Sequence, residues 1–456
     1  MTAPIHVAVT GGSGQLGTLV LRRLIDDRSI KRVVSIDLRP PLLAGGKLEA
    51  ITADVRDPDF ARHLAGCDAL VHLAFVVTKF EARPVMDAIN IEGSKNVFRA
   101  AAAAGIARIV YSSSVAQYGV APGQPVPIVE DTPRKYVEGF AYSANKYRVE
   151  EFLDGFEAEH PAIAIVRLRP AILVGQRMEH GLGRALKRRI LPNSGESPLP
   201  LVWDEDVADA IIRGLKTEVR GAFNLGTDEP KTAAELAQAA GLKLFSVPLP
   251  IALAAARLSP ILAKIGIGEA MDPAWIENSA TMIMSSEKAR RDLGWKPRFP
   301  TATSVLQHFV EVVPGKADRR ILAFLGLIEL SGRLAPAVPE LAGFRGRIHL
   351  CLTGAGGGDF GIIVEGGRVR IERRAPRPPT ATVTMKAKLF LDLLAGNGDI
   401  GLAQMTGKVR IEGQGHASMI IGGMIATFRA KLGGTGMEAR LLGRMARWFG
   451  ARGANG

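Results

Sequence analysis

At 456 residues the chain is longer than one ordinary domain, and 47% hydrophobic with 23% charged residues describes a folded protein, not a disordered one. The net charge of +13 is uneven: residues 340–456 hold 17 Lys and Arg against 8 Asp and Glu. No aromatic interleaving or DNA-reading motif accompanies that basic region, so nucleic acid is not the expected partner. Cys67 and Cys351 lie far apart in sequence, inside apolar strand-like segments. They are expected to be buried thiols in a reducing compartment, with no disulfide and no metal framework. The chain enters an apolar segment almost at once, without room for a signal peptide, and no apolar run reaches a membrane span. The nearest candidate, 247–268, is broken by Pro248, Pro250, Arg257, Pro260 and Lys264. A cytoplasmic location is expected.

The first element is a strand, Val7–Thr10, running into Gly11-Gly12-Ser13-Gly14-Gln15-Leu16-Gly17 and an amphipathic helix with Leu19, Val20 and Leu24. Glycines at 11, 14 and 17 give a tight turn, bring backbone close to a pyrophosphate and aim a helix N-terminus at its charge. A second strand ends in Asp37, about 20 residues on, where a ribose ligand belongs. NAD is the expected cofactor, because the Asp37 carboxylate disfavours a 2′-phosphate; Arg39 leaves NADP open. Through residue 175, short apolar strands alternate with helical patterns, which predicts a doubly wound parallel α/β sheet. His72, inside the apolar run Ala69–Phe75, reads as a packed core histidine.

Further on, a strand ends in Ser112-Ser113-Ser114, and Tyr142 precedes Lys146 by four residues. That spacing puts both on one helix face, so the ammonium lies near the phenol. A nearby positive charge lowers a tyrosine pKa from its ordinary ~10, and the phenol then serves as general base or acid at an alcohol or ketone oxygen.

The Gly-rich turn, Asp37, the triple-serine strand end and Tyr142-Ser143-Ala144-Asn145-Lys146 together resemble an extended short-chain dehydrogenase/reductase. That family includes sugar-nucleotide epimerases and 3β-hydroxysteroid dehydrogenases. The resemblance continues through Arg167–Pro170, Asp204–Ala208, Phe223–Gly226 and Lys288–Trp295. It implies a catalytic set of Tyr142 with Lys146 and Ser114. It implies cofactor contacts at Gly11, Gly14, Gln15, Leu16, Gly17, Asp37, Asp54, Val55, Leu73, Ala74, Phe75, Ser112, Tyr142, Lys146 and Pro170, and a homodimer as the usual assembly. Residues 176–313 are expected to form a substrate lobe. There, Arg177, Arg184, Lys187, Arg188 and Arg189 either clamp an anion or face water, and the apolar stretch Phe245–Gly268 resembles the steroid branch more than the sugar branch.

The dehydrogenase-like pattern, expected over 1–313, gives way to a linker and helix at 314–339. Strands then follow at Arg347–Leu352, Phe360–Glu365, Arg368–Arg373 (with Gly366-Gly367 as the turn), Thr380–Met385 and Lys408–Glu412. Helical patterns run over Lys388–Ala395 and Met419–Phe428. This order, in α+β form over 340–432, resembles a sterol carrier protein 2 domain, which implies an apolar tunnel; Met405, Met419, Met424 and Phe428 are its expected lining. The tail 433–456 carries a basic amphipathic pattern suited to peripheral contact with an anionic membrane or to the protein's own body. Hydride chemistry joined to lipid holding points to a sterol, steroid or related lipid substrate. The alternatives are a sugar-nucleotide epimerase or reductase and an NAD(H)-sensing lipid carrier without turnover.

Overall fold

A computed structural model describes residues 5–77, 83–119, 124–137, 139–178, 181–227, 229–264, 272–277, 283–315, 317–334, 345–365, 368–373, 375–376, 379–413 and 417–432, with backbone alone at 264, 330–334, 418 and 427–432. The chain divides into two compact units, residues 1–185 with 190–307, and residues 186–189 with 308–456.

The first unit is built on seven strands: β1 (Ile5–Thr10), β2 (Ile30–Asp37), β3 (Leu48–Thr52), β4 (Ala69–His72), β5 (Arg108–Ser112), β6 (Ala164–Pro170) and β7 (Gly221–Leu225). Their order is β7-β6-β5-β4-β1-β2-β3, and every pairing is parallel. Successive side chains of a strand point to opposite faces, so β1 sends Val7 and Val9 to one core and Ala8 to the other. Both faces are covered, which is why the central strands read as unbroken apolar runs. Helices α1 (Gln15–Asp26), α2 (Gly93–Ala103), α3 (Ala141–Glu159) and α4 (Asp204–Lys216) supply that cover. From β1 the order proceeds to β2 on one side and β4 on the other, so the crevice for a ligand opens at the carboxyl end of β1.

Two short parallel pairs extend this unit: Ile172–Val174 with Leu201–Trp203, and Ile190–Asn193 with Lys243–Ser246. Helix α5 (Leu249–Lys264) follows and leaves Leu249, Ile251, Leu258, Ile261 and Leu262 exposed. Cys67 is buried, as expected, but sits in the turn before β4 and not in a strand.

The second unit opens with α6 (Arg319–Leu334) and continues with β8 (Gly346–Thr353), β9 (Gly358–Glu365), β10 (Arg368–Glu372), β11 (Ala381–Lys386), α7 (Ala387–Ala395), α8 (Ile400–Met405), β12 (Val409–Gly413) and α9 (Ala417–Leu432). Its sheet order is β10-β9-β8-β11-β12, with β8 and β11 parallel and the other neighbours antiparallel. Ile348, Leu350 and Leu352 of β8 meet Ile321, Phe324 and Leu325 of α6, Phe390 of α7, and Ile420, Ile421 and Met424 of α9 in one core. The alternate residues Arg347, His349, Cys351 and Thr353 lie on the other face. Cys351 is accordingly half-buried, where the sequence predicted a buried thiol.

The expected tunnel lining needs a second correction. Met424 belongs to the core, but Met405 is 88% and Met419 62% exposed. Short helix α8 buries only Ala403, and Met405 falls on its open side. The side chain of Phe428, the turn at Gly366-Gly367 and the tail 433–456 lie outside the described residues. Among the described residues no helix is long and apolar enough to cross a membrane.

Candidate active site

The turn between β1 and α1 has the shape its glycines predict. Gly11 has φ +73°, a left-handed conformation, and a Cβ there would lie 2.6 Å from the Ala74 backbone nitrogen. A Cβ on Gly17 would lie 2.1 Å from the Gly11 carbonyl oxygen, so only glycine lets α1 approach the turn this closely. Helix α1 starts at Gln15 with no side-chain cap on its N-terminus. Uncapped N–H groups and the helix dipole together favour a phosphate there. At the end of β2, Asp37 Oδ2 accepts from Ser13 N at 3.1 Å and Oδ1 from Arg39 N at 3.2 Å, which fixes the carboxylate beside the turn. These residues fit a dinucleotide, and the Asp37 charge suits free ribose hydroxyls over a 2′-phosphate.

Other expected cofactor contacts line the same edge. Leu73 N donates to Thr10 O at 3.1 Å and Ala74 abuts Gly11, so the end of β4 forms one wall of the crevice. Val55 is buried and its carbonyl accepts from Asn96 at 2.8 Å. Asp54 pairs with Arg56 at 2.6 Å, which holds its carboxyl below the usual range. Gln15 is directed elsewhere: its amide donates to Asp204 Oδ2 at 2.8 Å. Asp204, which the sequence reading left without a role, is a buried carboxyl pushed up to about 6 by burial, against the hydrogen bond from Gln15.

The three serines after β5 do three different things. The Ser112 carbonyl accepts from Lys146 Nζ at 2.7 Å. Ser113 donates to the fully buried carboxylate of Glu150 at 2.5 Å. Ser114 caps the short 3-10 turn Val115–Tyr118, accepting from Ala116 N at 3.2 Å, and opposes the upward shift that burial gives the Tyr142 phenol. Tyr142, Lys146 and Glu150 recur every four residues along α3 and so stack on one face.

The electrostatics differ from the simple expectation that Lys146 lowers Tyr142. Tyr142 keeps part of its surface open while its phenol is enclosed by protein, and burial raises its pKa, with Ser114 opposing that shift. Lys146 is itself pushed down to about 7 by burial, with Glu150 opposing that shift. Its Nζ lies 3.5 Å from the Phe75 ring centroid and 5.9 Å from that of Tyr142. The ammonium is therefore beside the phenol, held by the Ser112 carbonyl and the Phe75 face, and near neutrality only part of it is charged.

Beneath the site lies a buried polar network drawn from four elements. Arg169 of β6 binds Glu150 through Nε at 2.9 Å and Nη2 at 2.5 Å, and donates to Tyr118 Oη at 2.6 Å. Tyr118 in turn donates to Asn224 of β7 at 2.8 Å. Burial works to raise the Glu150 carboxyl, but Arg169, Ser113 and Arg167 outweigh it and hold it ionised. Pro170 ends β6 directly after this anchor. His72 is a core residue, as read: its nitrogens bond Thr10 Oγ1 at 2.7 Å and Ser94 Oγ at 2.9 Å, and burial pushes it down to about 3.

Aromatic rings wall the phenol. Phe75, Phe140 and Trp275 have centroids 5.8, 6.1 and 5.1 Å from that of Tyr142. Trp275 comes from the short helix Ala274–Glu277, and no motif marks it in the sequence. Arg189, which belongs to the second unit, is structural: its Nη2 donates to the carbonyls of Val310 and Val313, both at 2.8 Å.

Residues 7–226 match the NAD dependent epimerase/dehydratase family and residues 327–419 the SCP-2 sterol transfer family. A 3-beta-hydroxysteroid dehydrogenase of Mycolicibacterium neoaurum is 27% identical over 341 residues, covering 66% of this chain and 90% of the relative. A probable UDP-arabinose 4-epimerase of Oryza sativa is 29% identical over 231 residues, 47% of this chain and 53% of the relative. The fold is shared with Bordetella bronchiseptica WbmG, solved in complex with NAD and UDP, at TM-score 0.53 and 19% identity over 68% of this chain and 94% of that one. The chain thus joins an NAD-dependent enzyme domain of the epimerase/dehydratase family to a domain of the SCP-2 sterol transfer family.

Proposed function

We propose that the protein is an NAD-dependent dehydrogenase moving hydride between the nicotinamide and a hydroxyl or keto carbon of a hydrophobic substrate, a sterol, steroid or related lipid. The observation that carries this reading is the union, in one chain, of an aromatic-walled tyrosine site with a sterol-transfer-family domain. The relatedness to a steroid dehydrogenase over nearly that protein's whole length supports the same substrate class. Exposed apolar side chains along α5 in the substrate lobe support it again.

The Gly11–Gly17 turn would hold NAD, which when bound would supply the hydride acceptor and, when oxidised, a positive charge. The protein's own residues manage the proton. Tyr142 Oη takes it from the substrate hydroxyl in oxidation and returns it in reduction. Ser114 Oγ, which acts on the titration of that phenol, holds the same substrate oxygen. Burial alone keeps Tyr142 protonated, so oxidation requires Lys146 to be charged; Glu150, one helical turn on, favours that form. Phe75, Phe140 and Trp275 keep water from the oxygen and offer an apolar substrate a matching surface.

The test is NADH formation from NAD by wild type and Tyr142→Phe, with 3β-hydroxysteroids offered beside UDP-sugars. Steroid-dependent NADH that disappears in the variant is expected. Thermal protection by a UDP-sugar without any response to steroids would overturn the reading in favour of a sugar-nucleotide enzyme. Lipid transfer that survives Tyr142→Phe, with no turnover in wild type, would overturn it in favour of a carrier.

A further inference from the structure

The outer face of the C-terminal sheet gathers three ligand-bearing side chains. His349 and Cys351 are two apart on β8 and therefore point the same way, and Asp359 of β9 stands directly across from Cys351. His349 Nε2 lies 2.7 Å from Asp359 Oδ1, and one ligand atom from each of the three residues lies within 4.8 Å of the others. Cys351 is flanked across the sheet by Asp359 on one side and by Thr384 of β11 on the other. All three are half-buried, so an ion has access from solvent and the ligands are still backed by protein. Nothing in the hydride-transfer reading uses them.

We propose that His349, Cys351 and Asp359 form a binding site for a divalent late transition-metal ion, zinc by its donor set. One thiolate, one imidazole and one carboxylate are the ligands this borderline ion takes, and three protein ligands leave a fourth position for water or a substrate oxygen. Zinc–ligand bonds of about 2.0–2.3 Å bring tetrahedral donors to roughly 3.4–3.6 Å from one another. The His349–Asp359 contact must open slightly and the thiol must close in, both by side-chain rotation on a fixed sheet. Binding replaces the thiol proton with the metal and releases that proton to solvent, so affinity rises with pH. On β12, Glu412 and Arg410 share this face, opposite Thr382 and Thr384, and bring one charge of each sign. The sequence conceals the site because Asp359 reaches it only when β9 folds back on β8.

The experiment titrates the full-length protein, freed of any affinity tag, with Co²⁺ followed by absorption and then displaces the cobalt with Zn²⁺. One equivalent is expected to produce a thiolate-to-cobalt charge-transfer band together with intense d–d bands of a four-coordinate ion. Cys351→Ser is expected to abolish the charge-transfer band, and His349→Ala or Asp359→Asn to weaken binding by about tenfold or more. Alkylation of Cys351, read by peptide mass, should slow when Zn²⁺ is present, which tests the site without any variant. No charge-transfer band at stoichiometric cobalt, a band that survives Cys351→Ser, or alkylation indifferent to Zn²⁺ would each overturn the assignment.

Discussion

The two domains embody their chemistry in different ways. In the first, a few side chains at the carboxyl ends of parallel strands are fixed by backbone geometry and a buried ion-pair network, so each position has one role. Ser112, Ser113 and Ser114 are consecutive and chemically identical, yet the first holds a lysine, the second a buried glutamate, and the third caps the turn Val115–Tyr118. In the second domain the conspicuous feature is a continuous apolar core of sheet and helices, to which many residues contribute small, similar amounts. A site of the first kind fails when one atom is removed, whereas a core of the second kind weakens in proportion to what is removed.

That contrast is broken or sharpened most strongly at Tyr142. Replacing it with Phe leaves the ring stack intact and is expected to lower turnover by about 10²–10⁴-fold while NAD affinity, followed by fluorescence quenching, stays the same. An equal fall in NAD affinity would show that the phenol is a binding group. In the second domain, Met424→Ala is expected to cost about 2–5 kcal/mol in urea unfolding of that unit. Met405→Ser and Met419→Ser, at exposed positions, are expected to stay within about 0.5 kcal/mol. If Met419→Ser alone abolished lipid uptake, the core account of this domain would be wrong.

Lys146 yields a smaller and pH-dependent effect. Burial places its folded pKa, about 7, below the ordinary lysine value of ~10.4. Between those two values the unfolded chain binds more protons than the folded one, so this group makes stability rise with pH across that window; below pH 7 its cost is fully present. Lys146→Met removes the cost, and the variant's urea midpoint is expected to exceed wild type at pH 6 by more than at pH 9. An advantage that does not change with pH would mean that the lysine is charged in the folded protein throughout. A more local change is Gly11→Ala, where forcing a Cβ into a left-handed turn beside Ala74 costs about 1–2 kcal/mol, and NAD binding is expected to weaken about tenfold. Unchanged NAD affinity in a folded variant would remove the turn from the cofactor site.

Much of the first domain was legible in the sequence because its demands are local. A turn that tolerates only glycine, as at Gly11 and Gly17, and two residues one helical turn apart, as at Tyr142 and Lys146, announce themselves within a dozen positions. What is assembled across the fold was not legible. Glu150, Arg169, Tyr118 and Asn224 come from four elements, and Trp275 reaches the phenol from more than a hundred residues further along the chain. The direction of the Lys146 shift also escaped the sequence, since spacing gives its distance to Tyr142 but not the depth of its burial. In the second domain, strand order and alternation were readable, but the methionines were not. A helix as short as α8 gives no period from which to tell that Met405 faces water.

The central claim is that hydride leaves a carbinol carbon of a hydrophobic substrate and departs on the cofactor. The most direct measurement uses a 3β-hydroxysteroid deuterated at carbon 3, with mass analysis of the released reduced cofactor for wild type and Tyr142→Phe. The account predicts deuterium in the NADH from wild type and none above background from the variant. Deuterium-free cofactor from wild type, with a UDP-sugar epimerised and no net NADH released, would contradict it.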